Sequence, residues 1–431
     1  MAAPVKQTEA PEQRPSASRF GSLARKYGAP LIPPVFAVIL AMIAGAIVIL
    51  ITWPNKTVDP FTNVINAYTT LFTGSYGSLS NISNTLVRVS PLIFASISVA
   101  IAFRAGLFNI GAAGQMAVGA MTADIIGLTF TSWPSWVLIP VMLLASILAG
   151  AIWGGIAGFL KAWRGAHEVV TTIMLNWIAF YGTDYLINSA PFTAPFGVTQ
   201  TIALPPNGTL PPIAGVFNQI FGTQLDTFTY TVDISIFFAL IALVIYWFII
   251  SRTTFGYELR VIGQNPRAAQ YAGIPTKRNI FLVMAIAGAF AGLAGSTKLM
   301  GQPGYNLTAT AFSVDPTGFD AIAVALLGQT TAIGILLASL LVGGLRSGST
   351  AMQAIAHVDP NLVLIMEALV LFFIAAQFLP VLRRALPAWL RPRFVPTLAP
   401  ATIDRTVVVL PENGNGDAQN VAEIPDLEEE E

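Results

Sequence analysis

Arg252-Thr-Thr-Phe-Gly-Tyr-Glu-Leu-Arg-Val-Ile-Gly-Gln-Asn-Pro-Arg-Ala-Ala-Gln-Tyr-Ala-Gly-Ile-Pro-Thr-Lys-Arg278 stands between two apolar runs, about 232–251 and 279–299. Each run is long enough to cross a bilayer. A basic segment bounded in this way is a loop at a membrane surface, and it makes the rest of the chain legible as spans and connections. Inside it, Asn265 can cap a short helix, Pro266 fits the first helical position, and Gly273 followed by Pro275 supplies a stop. The spacing predicts a two-turn helix at the water interface presenting Ala268, Ala269, Tyr271 and Ala272, a surface of small groups that another protein can approach closely. The plainer alternative is a cytoplasmic loop kept basic by topology.

Composition agrees with a membrane class. Of 431 residues, 54% are hydrophobic and 10% are charged, and mean hydropathy is +0.67. So few charges cannot cover a soluble surface, so the chain reads as an all-α polytopic membrane protein. Its formal net charge is zero, and nucleic acid is not expected among its partners. The absence of cysteine excludes disulfides, thiolate metal sites, cysteine nucleophiles and a lipoprotein anchor. With His167 and His357 the only histidines, no metal site is expected.

Outward from the loop, apolar runs lie at about 31–53, 86–103, 107–129, 136–160 and 168–188, with shorter pieces at 318–328 and 332–348 and a last run at 362–380. Lys and Arg set the orientation, because they are retained in the cytoplasm. With the N-terminus inside, the cytoplasmic side collects the 1–30 tail, Arg104, Lys161, Arg164, the 252–278 loop and the cluster Arg383, Arg384, Arg391 and Arg393, leaving Lys56, Arg88, Lys298 and Arg346 elsewhere. A C-terminus on the same side requires an even number of crossings. Residues 318–348 are therefore two short tilted spans turning near Gln329-Thr330-Thr331, or a re-entrant hairpin; two spans give about ten in all. The membrane domain then covers 31–385. Residues 189–231, rich in Pro, Thr and Gly, form an external loop, either a cover over the bundle or a docking surface, with a short helix near Gly215–Gly222. Residues 386–431 are Pro-rich and then acidic, the composition of a disordered tail.

Gly150, Gly154 and Gly158, and later Gly288 and Gly292, recur at every fourth position, the spacing of close helix packing in lipid. Polar groups within spans are candidates for a solute pathway. Gln115 either bonds neighbouring helices or contacts solute. Asn176, Trp177, Phe180 and Tyr181 share adjoining helix faces, which suits a planar, uncharged, hydrogen-bonding solute or plain aromatic packing around one satisfied amide. Asp320 is either a pathway acid or the cap of its short helix, and Glu367 is a second intramembrane acid. There is no phosphate-binding loop, since Gly295-Ser-Thr-Lys298 lacks the spacing, and no His-Glu-x-x-His or Gly-x-Ser-x-Gly motif. Enzymatic chemistry is not expected.

Four blocks, Phe103–Gln115, Glu168–Asn176, Gly256–Gly273 and Gly318–Gly328, taken in this order over roughly 85–385, resemble the permease subunits of ABC-type importers. The superfamily handles ribose-like sugars and branched-chain amino acids, and the resemblance is to its nucleoside or simple-sugar branch. It implies a non-catalytic subunit in the prokaryotic plasma (inner) membrane, with both termini cytoplasmic and no cofactor of its own. Its implied partners are membrane lipid, a second permease, cytoplasmic ABC ATPase subunits that carry the ATP, and an extracytoplasmic substrate-binding lipoprotein. Gly256, Glu258, Arg260, Gly263, Asn265, Pro266, Arg267, Ala268, Ala269, Tyr271 and Gly273 would form the coupling helix and its flanks, with Arg267 offering charge to the ATPase. Gln115, Asn176, Trp177, Tyr181 and Asp320 would line the pathway. Where the family carries Glu within Asn-Ile-Gly-x-x-Gly-Gln, this chain has Ala113. The alternative function is an ion-coupled secondary carrier for a small polar solute, centred on Asp320 and Glu367.

Overall fold

A computed structural model describes residues 32–52, 59–189, 191–195, 198–359 and 361–375. The two expected tails, Lys56 and the arginine cluster at 383–393 lie outside the described residues. Each of the expected apolar runs coincides with a helix: α1 (Ile32–Thr52), α3 (Leu79–Arg104), α4 (Ala112–Thr129), α5 (Ser135–Arg164), α6 (Glu168–Ile187), α8 (Ser235–Arg252), α11 (Thr276–Gly301), α13 (Thr317–Leu327), α14 (Ala332–Ala356) and α15 (Asn361–Ala375). The remainder are α2 (Pro60–Tyr76), α7 (Ile213–Phe221), α9 (Thr254–Gln264), α10 (Pro266–Tyr271) and α12 (Ala311–Val314). Among the described residues the only β structure is isolated bridges.

Six helices, α1, α3, α5, α8, α11 and α14, are long and apolar enough to cross a membrane on their own. The rest are short, or are diluted by Gln115 and Asp124 in α4 and by Asn176 and Asp184 in α6. Helix α3 is the axle of the bundle: 83% of its most apolar window is buried, against 22% for α1 and 28% for α5, which face outward.

Helix α2 is not foreshadowed by the apolar runs, because Thr, Asn and Tyr interrupt its hydrophobicity. Its signals are local: Asp59 accepts the Thr62 N–H at 3.0 Å, Pro60 occupies the first turn, and Asn63, Ala67, Leu71 and Ser75 form one buried stripe. It adds no reversal to the topology. Leu71 lies against Gly348, and the Ser75 hydroxyl reaches the Gly344 carbonyl at 2.5 Å; later, Val89 meets Gly343 and Arg104 donates to the Thr330 carbonyl at 2.9 Å. Helices α2 and α3 thus both run antiparallel to α14.

The tightest packing joins α4, α5 and α11. A Cβ on Gly150 would stand 2.2 Å from the Gly288 carbonyl oxygen, one on Gly154 2.4 Å from that of Met284, and one on Gly158 3.1 Å from that of Phe281. From the other side, a Cβ on Gly288 would stand 2.1 Å from the Gly150 oxygen and one on Gly292 2.2 Å from that of Ser146. Lipid gives helices no hydrophobic reason to associate, so backbone contact at this range supplies the van der Waals energy that holds them. The Ser146 hydroxyl adds a bond to the Gly119 carbonyl at 2.9 Å.

Residues 329–331 turn sharply, with Gln329 at φ 50° and Thr330 at φ 52°, and return α14 alongside α13. With 11 residues, α13 spans only about 16 Å and does not cross a bilayer alone. Segment 198–212 lies along 300–309, with Thr201, Leu204 and Leu210 donating to the carbonyls of Leu307, Tyr305 and Met300 at 2.8–2.9 Å. Asn207 ties it to the carbonyls of Thr131 and Trp133 at 2.7 and 2.6 Å. Helix α7 ends at Gly222, whose φ is 64°.

Candidate functional site

The loop between α8 and α11 folds as two helices. The Thr253 hydroxyl caps α9 by accepting the Gly256 N–H at 3.1 Å, and Gly256 is forced by the turn, since a Cβ there would lie 2.2 Å from the Ile249 carbonyl. Asn265 Oδ1 accepts the backbone N–H groups of Arg267 and Ala268 at 3.0 and 3.1 Å, and Pro266 follows in the first turn of α10. Gly273, at φ 78°, closes it. Glu258 and Arg260 face inward: Glu258 accepts from Asn279 at 2.6 Å, and Arg260 donates to the Ile250 carbonyl. Gly263 lies on the end of α3, where a Cβ would sit 2.5 Å from the Arg104 carbonyl.

One expectation is corrected. Ala269 is 0% exposed and forms the foot of α10, with its carbonyl taking the Ile274 N–H at 3.0 Å. The outward surface consists of Arg267, Ala268, Gln270, Ala272 and Tyr271, which is 93% exposed. On so short a helix, the side chain four residues beyond Asn265 turns back towards the bundle.

A second feature is a knot of amides. Asn109 and Gln115 bond reciprocally, Nδ2 to Oε1 at 2.9 Å and Nε2 to Oδ1 at 3.0 Å, and Asn109 also donates to Ser98 at 3.0 Å. Asn176 accepts the Gly114 N–H and donates to the Ile110 carbonyl, both at 2.9 Å. Gln115 and Asn176 are buried: Gln115 joins α4 to α3 through Asn109 and Ser98, and Asn176 of α6 satisfies the Ile110 carbonyl and the Gly114 N–H left open at the start of α4. Trp177 and Tyr181 point away from the knot and stack on each other with ring centroids 5.8 Å apart. They are 48% and 68% exposed and share an outer stripe of α6 with Met174, Ile178, Gly182 and Tyr185. A Cβ added at Gly182 would meet no heavy atom within 4 Å, so this chain alone does not explain a glycine there.

The third feature is a polar cavity of about 230 Å³ between α3, α11, α13 and α14. It gathers Arg88, Lys298 and Arg346, three of the four cations that break the charge rule for loops. Lys298 pairs with Asp315 and lies 3.3 Å from the Thr317 hydroxyl. Arg346 holds Asp320 through Nε at 3.1 Å and Nη2 at 2.9 Å, and reaches Glu367 at 2.7 Å. Asp320 therefore does not cap α13, whose N-cap position is Pro316. Arg88 lines the same cavity and makes no ion pair or hydrogen bond among the described residues. The sequence signal for this cluster is the set of misplaced cations; its assembly from four helices is not readable locally.

A family profile described as a branched-chain amino acid transport system / permease component matches residues 81–375. The chain belongs to this family. Over 348 residues it is 37% identical to the guanosine ABC transporter permease protein NupP of Bacillus subtilis (strain 168), covering 81% of this chain and 94% of the relative. Over 349 residues it is 36% identical to the nucleoside ABC transporter permease protein NupB of Lactococcus lactis subsp. cremoris (strain MG1363), covering 80% and 91%. Over 346 residues it is 32% identical to the glucose ABC transporter permease protein TsgB13 of Haloferax volcanii, covering 80% and 87%. No solved structure matches it.

The chain is thus an ABC transport permease subunit, a multi-pass membrane protein. In this permease the four blocks that carry the family resemblance touch one another. Asn176 of the second holds Gly114 of the first, Gly263 of the third sits on Arg104 and Gly106, and Gly318 of the fourth lies on Ala113, where a Cβ on Gly318 would stand 2.5 Å from the Ala113 Cα. That last contact leaves no space for a longer side chain directed from position 113 towards α13.

Proposed function

We propose that the permease imports nucleosides, driven by ATP hydrolysis on separate ATPase subunits that dock on α9 and α10. The observation that carries the coupling assignment is the division of labour within α10. Asn265 caps the helix and buried Ala269 turns inward, while the side chains of Arg267, Ala268 and Tyr271 are exposed and make no hydrogen bond or ion pair among the described residues. A rigid foot with an exposed tip can transmit a push from a partner into α8, α11 and the end of α3. Support for the solute comes from two relatives of similar length, one named for guanosine and one for nucleosides.

A second permease would cover the outer face of α6. Tyrosine hydroxyls and an unexplained glycine are poor companions for lipid and suit a facing helix. Trp177 and Tyr181 would then flank the pathway shared by the two permeases, with Gln115 and Asn176 one layer behind as the ties that set α6 in place and Asp320 in the cavity. The loop side would be the cytoplasmic side of a prokaryotic plasma membrane, with the 198–212 segment on the opposite surface to receive a substrate-loaded lipoprotein. The test is gentle purification from native membranes followed by reconstitution. Recovery of an ATPase and a second permease, with ATP-dependent uptake of labelled guanosine, is the expected result. Solute flux that persists without any ATPase and follows a proton or sodium gradient would overturn it.

A further inference from the structure

We propose that the cavity between α3, α11, α13 and α14 is a station that holds the solute during transport, and that Arg88 recognises it by donating a pair of hydrogen bonds to the acceptor edge of a nucleobase. The proposal rests on the nucleoside assignment above and deepens it.

The cations in the cavity are not equivalent. Lys298 is engaged by Asp315, and Arg346 by both Asp320 and Glu367, whereas Arg88, the exposed member of the set, feels the Asp315 carboxylate only at longer range and makes no ion pair or hydrogen bond among the described residues. A guanidinium remains charged at all physiological pH values and carries its donors in a planar fork. A guanidinium within a span that no protein group meets at bonding distance is a candidate ligand contact.

Charge balance selects the kind of ligand. Arg88, Lys298 and Arg346 line the cavity with Asp315 and Asp320, and Glu367, which meets Arg346 from outside the cavity lining, brings the fully ionised cluster to formal neutrality. A carboxylate or phosphate would bring an uncompensated negative charge, whereas a neutral ring with two coplanar acceptors engages the fork at no such cost. A 6-oxopurine such as guanine presents that pair as a carbonyl oxygen and a ring nitrogen, the geometry arginine also reads on guanine in DNA. Hydroxyls of a simple sugar offer no planar acceptor pair. The remaining lining, Gln302, Thr317, Ser349 and Thr350, supplies uncharged donors and acceptors suited to ribose hydroxyls.

Size and position agree. The cavity, at about 230 Å³, is smaller than the roughly 300–1,000 Å³ common for drug-sized ligands and admits one small solute. Along α3, Arg88 lies sixteen residues before Arg104, where the coupling loop packs; at 1.5 Å per residue that is roughly 24 Å. A solute entering from the face opposite the coupling loop meets Arg88 in the first half of its path.

The experiment uses the complete transporter in proteoliposomes, comparing ATP-driven uptake of guanosine and of 7-deazaguanosine, which lacks the ring-nitrogen acceptor. The wild type should show a KM about ten-fold higher for the deaza analogue. Arg88→Met should raise the guanosine KM by about ten-fold or more, with a smaller change in kcat, and should transport the two analogues equally. Arg88→Lys, which keeps the charge without the fork, should fall between. Wild-type KM and undiminished discrimination in Arg88→Met would overturn the proposal while leaving the nucleoside assignment standing. A wild-type complex that transports no nucleoside would remove both. Competition by leucine that disappears in Arg88→Met would show that Arg88 binds a carboxylate, overturning the nucleobase assignment.

Discussion

Arg346 grips Asp320 with two nitrogens, Nε at 3.1 Å and Nη2 at 2.9 Å, and the same guanidinium lies 2.7 Å from Glu367, so one cation on α14 holds carboxylates from both α13 and α15. Removing it leaves two acids facing each other without the guanidinium that bridges them. Arg346→Met should cost about 3–5 kcal/mol, the range for breaking one side of a buried pair. Asp320→Asn should cost less, because Glu367 still balances the charge. Thermal unfolding in detergent checks this ranking, and equal melting temperatures for the two variants would contradict it.

The close approach of α5 and α11 leaves no tolerance for a side chain. Gly288→Leu must drive the helices apart, since even its Cβ would stand 2.1 Å from the Gly150 carbonyl oxygen. We expect a loss of about 3 kcal/mol or more, the upper end of overpacking penalties, and poor recovery of monodisperse protein in size-exclusion chromatography. Gly165→Ala tests a different cost. No atom lies within 4 Å of the added Cβ, so its penalty reflects only the φ of 69° and should be about 1 kcal/mol.

In the loop between α8 and α11, exposure separates two neighbouring alanines. Ala269→Arg would bury a guanidinium under α10 and should unseat the loop, lowering thermal stability together with uptake. Ala268→Arg, on the exposed side, should leave the melting temperature within about 1 °C of wild type, as is usual for surface changes. It should nevertheless reduce ATP-driven uptake and recovery of the ATPase. An Ala268→Arg transporter with normal uptake and normal ATPase recovery would show that α10 is not the contact.

The outer face of α6 gives a test of assembly. Gly182→Trp meets open space within this chain, so the isolated permease should insert and fold normally. If a second permease packs on this face, the same change should abolish co-purification of that subunit and reduce transport severely. Retention of the subunit would place the permease interface elsewhere.

Much of this protein is legible in its residues because the bilayer is a severe solvent. It demands apolar runs of a minimum length, and those runs, with the Asn265-Pro266 start and Gly273 stop of α10, are local properties written in consecutive residues. Helix α2 escapes such a reading because its inward stripe sets only Leu71 among the small or polar Asn63, Ala67 and Ser75, and a hydropathy average does not register a helix held by close packing against α14. Ala269 falls on the unexpected side because caps define where a short helix begins, not how it is rolled against the bundle.

Membrane class, helical runs, the capped helix α10 and the family all follow from consecutive residues, since each rests on local periodicity, capping or a motif. Which polar residues meet depends instead on the packed bundle. Arg88 and Arg346 are 258 residues apart in the chain, yet they line one cavity with Asp320 and Lys298, because α3, α11, α13 and α14 converge there. Electrostatic partnership depends on distances of a few ångströms through space, and in a bundle those distances are set by how glycine-lined helices close on one another.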